Sequence, residues 1–157
     1  MPHERFRRLI FAGEYEHRLD PQGRMSVPAR FRPAFEKGIV LSRAYDRCLM
    51  GYTPEEFAEV AGEIKKQPAT RADARRLARL TFAGAYELEL DRHGRVLIPP
   101  PLREYAGFKQ DVVIVGTGRF IEIWSRKSWL EERASLDEDA AEIAERAGDT
   151  VGGEAAR

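Results

Sequence analysis

Cysteine is almost absent from this sequence of 157 residues, because Cys48 is the single one. One thiol excludes an internal disulfide and any zinc site built from several cysteines. The three histidines, His3, His17 and His93, lack metal-ligand spacing, and no nucleophile with its base is evident. The sequence therefore predicts a protein that is not an enzyme and uses no cofactor.

Long apolar runs are also missing. None approaches the ~18 residues that a membrane-spanning helix requires, and no apolar signal core follows the N-terminal Met1–Arg5. Hydrophobic residues still make up 43% of the chain, which is enough to bury a core. We therefore expect a globular cytoplasmic protein with no membrane partner.

The net charge is zero, but the charges are unevenly placed. Of 26 basic and 26 acidic residues, 3 and 9 lie in residues 131–157, which leaves 23 basic and 17 acidic residues in 1–130. The body is therefore basic and the tail acidic. A basic body is compatible with a phosphate-bearing partner such as DNA.

An internal repeat organises the chain. Phe11–Glu16 recurs as Phe82–Glu87, and Leu19–Arg24 recurs as Leu90–Arg95, both at an offset of 71. A one-residue shift extends the match further, so that two copies of a unit of about 47 residues are present. The predicted parts are repeat 1 at about 11–57, bridging helices at about 54–81, repeat 2 at about 82–129, and a C-terminal helix with the acidic tail at about 126–157.

Within each copy, apolar and polar residues alternate, which predicts strands. The segment Asp-x-x-Gly-Arg then predicts a tight turn, so that a hairpin joins the strand ending at Leu19 to Met25–Val27. Prolines end the returning strands, short helices follow at about Ala29–Phe35 and Pro101–Ala106, and a second strand pair completes each unit.

A unit of this length is too small to bury a sufficient core alone. We expect the copies to interleave their strands into one pseudo-twofold β-barrel, a single pseudo-dimeric domain over residues 1–157. The fold class is α+β, mainly β, with bridging and C-terminal helices. The last helix is expected to fray near Gly148, Gly152 and Gly153.

The strongest candidate site residues are the duplicated Arg24 and Arg95, which follow the two turns. A guanidinium group presents a rigid fork of donors that suits phosphate or the edge of guanine. The alternative is that each arginine only bridges the aspartate of its own turn, and both roles can coexist. The complete candidate DNA-binding set is Asp20, Gly23, Arg24, Arg30, Arg32, Asp91, Gly94, Arg95 and Arg103.

Two further basic segments have alternative interpretations. The N-terminal Arg5, Arg7 and Arg8 are candidate phosphate contacts. The basic residues between the copies fit either DNA or, as we favour, the acidic tail of a neighbouring subunit; they are Lys65, Lys66, Arg71, Arg75, Arg76 and Arg79.

The sequence resembles the MraZ family, whose two halves are each similar to the SpoVT/AbrB-type swapped-hairpin module. The resemblance rests on the two Asp-x-x-Gly-Arg motifs in order, together with the segments Leu102–Gly107 and Phe120–Trp124. The resemblance covers roughly residues 6–146. It implies a swapped-hairpin barrel, a ring of subunits, a nucleoid-associated transcriptional regulator, and double-stranded DNA as partner at promoter direct repeats of the division and cell wall gene cluster. It places the DNA-contacting signature on Asp20 with Arg24 and on Asp91 with Arg95.

Two other functions remain open from the sequence. One is an antitoxin-like DNA-binding protein of the same barrel class, with the acidic tail wrapping a toxin. The other is a purely structural ring-forming protein, suggested by helices of opposite charge.

Overall fold

The computed structural model describes the backbone of residues 11–155 and the side chains of residues 11–148. The described chain divides into two units, one ending at Ser125 and the other beginning at Arg126. The strands of the first unit are β1 (Glu14–Arg18), β2 (Arg24–Ser26), β3 (Ile39–Arg43), β4 (Leu49–Tyr52), β5 (Ala85–Leu88), β6 (Arg95–Leu97), β7 (Asp111–Gly116) and β8 (Ile121–Ser125). Its helices are α1 (Pro54–Lys65), α2 (Ala72–Ala83) and α3 (Pro100–Ala106), with a 3-10 helix at Arg32–Phe35, and the second unit is the helix α4 (Arg126–Ala155). The predicted α+β class is confirmed.

The strands are exchanged between the repeats. Six of them form an antiparallel sheet in the order β1-β7-β8-β4-β3-β5, and β2 and β6 form a separate two-stranded ribbon. The edge strand β1 of the first repeat pairs with β7 of the second, and β5 pairs with β3 in the reciprocal manner. At the centre, Met50 of β4 faces Glu122 of β8. An approximate twofold axis therefore relates the repeats, and the predicted interleaving is observed.

The predicted hairpin across each Asp-x-x-Gly-Arg turn is wrong. β1 and β2 flank the first turn but form no ladder with each other, because β1 pairs with β7 and β2 with β6. Only the turn itself is closed locally, where the Asp20 amide donates to the Arg24 carbonyl at 3.0 Å. The six-stranded sheet is open, with β1 and β5 at its edges, so the described strands form no closed sheet.

The helices follow local sequence signals with two differences. Thr53 caps α1, since its hydroxyl accepts a hydrogen bond from the Glu56 amide at 3.2 Å. In contrast, α2 begins after Arg71, whose side chain makes no capping bond. The predicted fraying near Gly148 is also not seen, because α4 remains helical to Ala155. None of the described helices is both long and apolar enough to span a bilayer.

The core lies between the ribbon and the six-stranded sheet. Met25 of β2 and Val96 of β6 are buried in the same cluster as Ile114 of β7 and Ile123 of β8. On three-residue strands, burial of the middle residue fixes the direction of the other two, because successive side chains point to opposite faces. The flanking residues of β2 and β6 therefore point away from the core.

Candidate nucleic-acid interface

The first turn is organised by the Asp20 carboxylate. Its Oδ1 atom accepts hydrogen bonds from the amides of Gln22 and Arg24, each at 2.9 Å. Its Oδ2 atom accepts from Nε of Arg24 at 2.7 Å. One carboxylate therefore fixes both the backbone of the turn and the direction of the arginine that follows it.

The second turn repeats this arrangement atom by atom. Oδ1 of Asp91 accepts from the amides of His93 at 2.8 Å and Arg95 at 3.0 Å, and Oδ2 accepts from Arg95 Nε at 2.9 Å. The ion pairs offered as the alternative role of the two arginines are therefore present. In each pair the aspartate accepts a side-chain hydrogen bond from Nε of the arginine and not from its Nη atoms. The pairs therefore orient the arginines without using all of their donors.

Hydrogen bonding keeps both aspartates ionised. Donation from the Arg95 amide is the largest influence, and it lowers the pKa of Asp91 to about 2. The Arg24 amide likewise lowers the pKa of Asp20 below its ordinary value. Burial opposes both shifts but does not overcome them.

The β2–β6 ribbon brings the two arginines to one face. Arg24 lies opposite Leu97, and Ser26 lies opposite Arg95, so the two arginines occupy one diagonal of a four-residue patch. The arginine side chains are 33% and 31% exposed. Nη1 of Arg95 also lies 4.0 Å from Oδ2 of Asp20, which links the two turns. We call this outward patch of Arg24, Ser26, Arg95 and Leu97 the ribbon face.

The glycine of each turn accepts a backbone hydrogen bond from the opposite repeat. Gly23 and Gly94 have φ angles of 88° and 76°, a region that favours glycine. The Gly23 carbonyl accepts from the Ile98 amide at 3.1 Å, and the Gly94 carbonyl accepts from the Val27 amide at 2.9 Å. The turns are therefore attached to the ribbon strand of the other half.

Arg32 and Arg103 also cross between the repeats. Arg103 of α3 lies against Gly23, and Arg32 lies against Gly94, so closely that a Cβ atom at either glycine would overlap the guanidinium group. Nε of Arg32 donates to the Val27 carbonyl at 2.9 Å, whereas Nε of Arg103 is buried without a hydrogen-bond partner. Each arginine therefore packs against the turn of the opposite repeat, a contact that the sequence does not predict.

The remaining predicted bases are less closely organised. Arg30 is exposed, three residues beyond the buried Val27 that follows β2. Arg5, Arg7 and Arg8 lie outside the described residues. The ribbon-face position of Leu97 is not evident from alternating polarity, because Val96 and Ile98 on either side are also apolar; its alignment with the polar Ser26 of the first repeat is the sequence signal.

A basic cleft adjoins the first turn. It has a volume of about 510 Å³ and is lined by Arg18, Leu19, Asp20, Pro21, Gly23, Arg103, Lys109 and Gln110. Arg18 is held at its rim, where Nη2 donates to Gln110 Oε1 at 2.9 Å. At the position that corresponds to Arg18 the second repeat carries Glu89, so the two halves differ in charge beside their turns.

Among residues 11–148 no cluster of three or more His, Cys, Asp or Glu side chains is placed to hold a metal ion. His17 lies on β1 and His93 lies in the second turn. The chemistry of the described site is thus oriented positive charge on a two-stranded ribbon, which suits binding of an anionic partner.

Comparison with known proteins identifies relatives for both repeats. Residues 10–80 and 81–150 each match the family described as "MraZ protein, putative antitoxin-like". A protein from Roseiflexus castenholzii (strain DSM 13941 / HLO8) named Transcriptional regulator MraZ is 42% identical over 137 residues, covering 87% of this chain and 96% of that protein. Proteins of the same name from Roseiflexus sp. (strain RS-1) and Heliobacterium modesticaldum (strain ATCC 51547 / Ice1) are 39% and 42% identical, with the same coverage. Each of these three relatives is named as a transcriptional regulator, and the chain belongs to the MraZ family.

Proposed function

We propose that this protein is a sequence-specific DNA-binding transcriptional regulator that contacts duplex DNA through the ribbon face. The observation that carries the proposal is the position of Arg24 and Arg95, two guanidinium groups held by aspartates on the same face of one ribbon. The major groove admits a two-stranded ribbon, and arginine donors match the O6 and N7 atoms of guanine.

The surrounding charges favour the same partner. Arg18 and Lys109 line the basic cleft beside the first turn, where a backbone phosphate would find cations on several sides. Arg30 is exposed and able to contact phosphate, while Arg32 and Arg103 act on DNA by holding the turns in place. In this assignment, the two arginines of the ribbon face are positioned by the other turn residues, Asp20, Gly23, Asp91 and Gly94.

The two sheets enclose a common core, and we propose that together they act as the swapped-hairpin barrel of the family. The exchange of β1 and β5 between the repeats supports this, as does the single buried cluster that includes Met25 of the ribbon and Ile123 of the sheet. The barrel makes the ribbon a rigid platform for the arginines.

The genomic target and the assembly follow from the family resemblance. We infer that the protein binds short direct repeats in the promoter of the division and cell wall gene cluster and acts as a ring of subunits associated with the nucleoid. A ring presents the ribbon face at a fixed spacing, so a modest affinity per repeat is multiplied by effective concentration. The exposed bases Arg71, Arg75, Arg76 and Arg79 on or beside α2 are available to contact an acidic segment of a neighbouring subunit.

The proposal is tested by selecting duplexes from a random pool and measuring their affinity by gel shift at fixed salt. Arg24→Ala is expected to weaken binding by about five- to 150-fold, since a bidentate base contact contributes about 1–3 kcal/mol. Lys37→Ala is the matched control, because Lys37 is an exposed base that pairs with Glu55 and is not on the ribbon face. Equal affinities of the wild type and Arg24→Ala, or failure to enrich any sequence, would contradict the proposal.

An antitoxin-like protein of this family is the second candidate, because the family description itself includes that term. It uses the same ribbon face for DNA but also binds a toxin. Purification of the protein with the products of its neighbouring genes distinguishes the two, since a bound ribonuclease favours the antitoxin. A purely structural ring protein is excluded if the selected duplex binds with salt-sensitive sequence preference.

A further inference from the structure

Leu97 is an apolar residue placed outward on the ribbon face. It is 53% exposed, whereas its neighbours Val96 and Ile98 are 1% and 0% exposed. Its partner across the ribbon is Arg24. Leu97 is therefore the cross-strand neighbour of the arginine that the proposed function assigns to a base contact.

The corresponding corner of the first repeat is polar. Ser26 occupies the position equivalent to Leu97 and lies opposite Arg95. The arginine diagonal of the ribbon face is thus preserved between the repeats, while the other diagonal carries serine at one end and leucine at the other. Ser26 shows that the fold is built at this position without a large apolar side chain, so packing does not require Leu97.

The dimensions of the ribbon face match a short stretch of duplex. Residues opposite each other lie about 5 Å apart, and alternate residues on one strand lie about 7 Å apart. The patch therefore spans about two base-pair steps, each of about 3.4 Å. A side chain next to Arg24 reaches the base pair adjacent to the one that Arg24 contacts.

We propose that Leu97 determines sequence specificity by packing on the C5-methyl group of a thymine next to the base contacted by Arg24. The thymine methyl group is the apolar feature of the major groove, and apolar side chains recognise it. Ser26 makes no such contact, so the two halves of the ribbon face prefer different bases. The inference rests on the proposed function, and it makes the site bound by one chain asymmetric.

The test replaces thymine by deoxyuridine in a duplex selected by the wild-type protein, which removes the methyl group and leaves base pairing unchanged. Wild-type affinity should fall about fourfold when the critical thymine is replaced, the ratio that corresponds to about 0.8 kcal/mol for one buried methyl-sized group. Single replacements along the duplex should locate the effect at a thymine adjacent to a guanine.

Leu97→Ser installs the residue type of the other repeat and should bind thymine and deoxyuridine duplexes equally. Leu136→Ser is the control, since Leu136 is a partly exposed leucine of α4, and it should retain the wild-type preference for thymine. Thermal unfolding of both variants checks that each remains folded.

Three results would overturn the inference. They are equal wild-type affinity for the two duplexes, a selected site without thymine preference, and retention of that preference by Leu97→Ser. If Leu97→Ser keeps the preference but dissociates the protein in a native mass measurement, Leu97 contacts a second copy of the chain instead. If one of these results is found while the wild-type protein still binds DNA sequence-specifically, the proposed function stands and only the inference about Leu97 fails. If the wild-type protein shows no specific binding, both the proposed function and the inference fail.

Discussion

Arg103 packs on Gly23 of the other repeat, so closely that a Cβ atom at Gly23 would lie 2.6 Å from its Nη1 atom. Arg32 has the same relationship to Gly94. The two halves of the molecule thus support each other's turns, and changes at these glycines act on both repeats.

Gly23→Ala should therefore destabilise the protein and displace Arg103. Backbone strain of this kind costs about 1–3 kcal/mol, and the overlap with the guanidinium group adds to it. The loss is measured by urea unfolding. Gly118→Ala is the matched control, because Gly118 has a φ of 92° but nothing within 4 Å of its added Cβ atom. A loss for Gly23→Ala no greater than that for Gly118→Ala would show that the Arg103 contact is unimportant.

Asp91 should make stability depend on pH in the acid range. Its pKa is lowered to about 2 in the folded protein, so the unfolded chain binds the proton first as the pH falls. The free energy of unfolding should therefore decrease from about pH 4 toward about pH 2. Asp91→Asn should reduce this slope, as followed by urea unfolding at several pH values. The same slope in the variant and the wild type would contradict the assignment.

Leu49→Ala should show the cost of a cavity at the centre of the sheet. Leu49 is completely buried in β4 and faces Ile123 of β8, where the two repeats meet. The free energy of unfolding should fall by about 2–5 kcal/mol. Tyr45→Ala, at a side chain that is 75% exposed, should change it by less than about 0.5 kcal/mol. Similar losses for the two variants would place the core elsewhere.

Thr53→Ala should weaken α1 at its first turn. The variant loses the hydrogen bond from the Glu56 amide to the threonine hydroxyl, which costs about 1 kcal/mol. Thr53→Ser keeps an acceptor at this position and should lose less than the alanine variant. Equal unfolding free energies for the alanine and serine variants would argue against capping.

The sequence predicts the elements of this fold better than their partners. Alternating polarity locates β1, and Thr53 locates the start of α1, because both signals are local. The partner of β1 is not a local property, since the same pattern satisfies a hairpin with β2 and the observed ladder with β7. The exchange becomes predictable only when the small size of each repeat is considered.

In the candidate site, too, local contacts are predictable from the sequence and contacts between the repeats are not. The sequence predicts the pairing of Asp20 with Arg24 as one alternative, because five consecutive residues contain both partners and the turn. The contact of Arg103 with Gly23 joins residues from different repeats, so no local pattern reveals it. The low helix propensity of glycine predicts fraying near Gly148, but the long helical segment before it continues to Ala155.

The pairing of β1 with β7 has a consequence for synthesis of the chain. Glu14 pairs with Val115, so the first strand leaves the ribosome long before its partner is made. At about 5–20 residues per second, β1 waits several seconds or more without a ladder. Its exposed Glu14, Glu16 and Arg18 are charges of the kind that discourage an unpaired edge from joining another chain. The charged face of β1 thus protects the nascent protein from aggregation until the second repeat arrives.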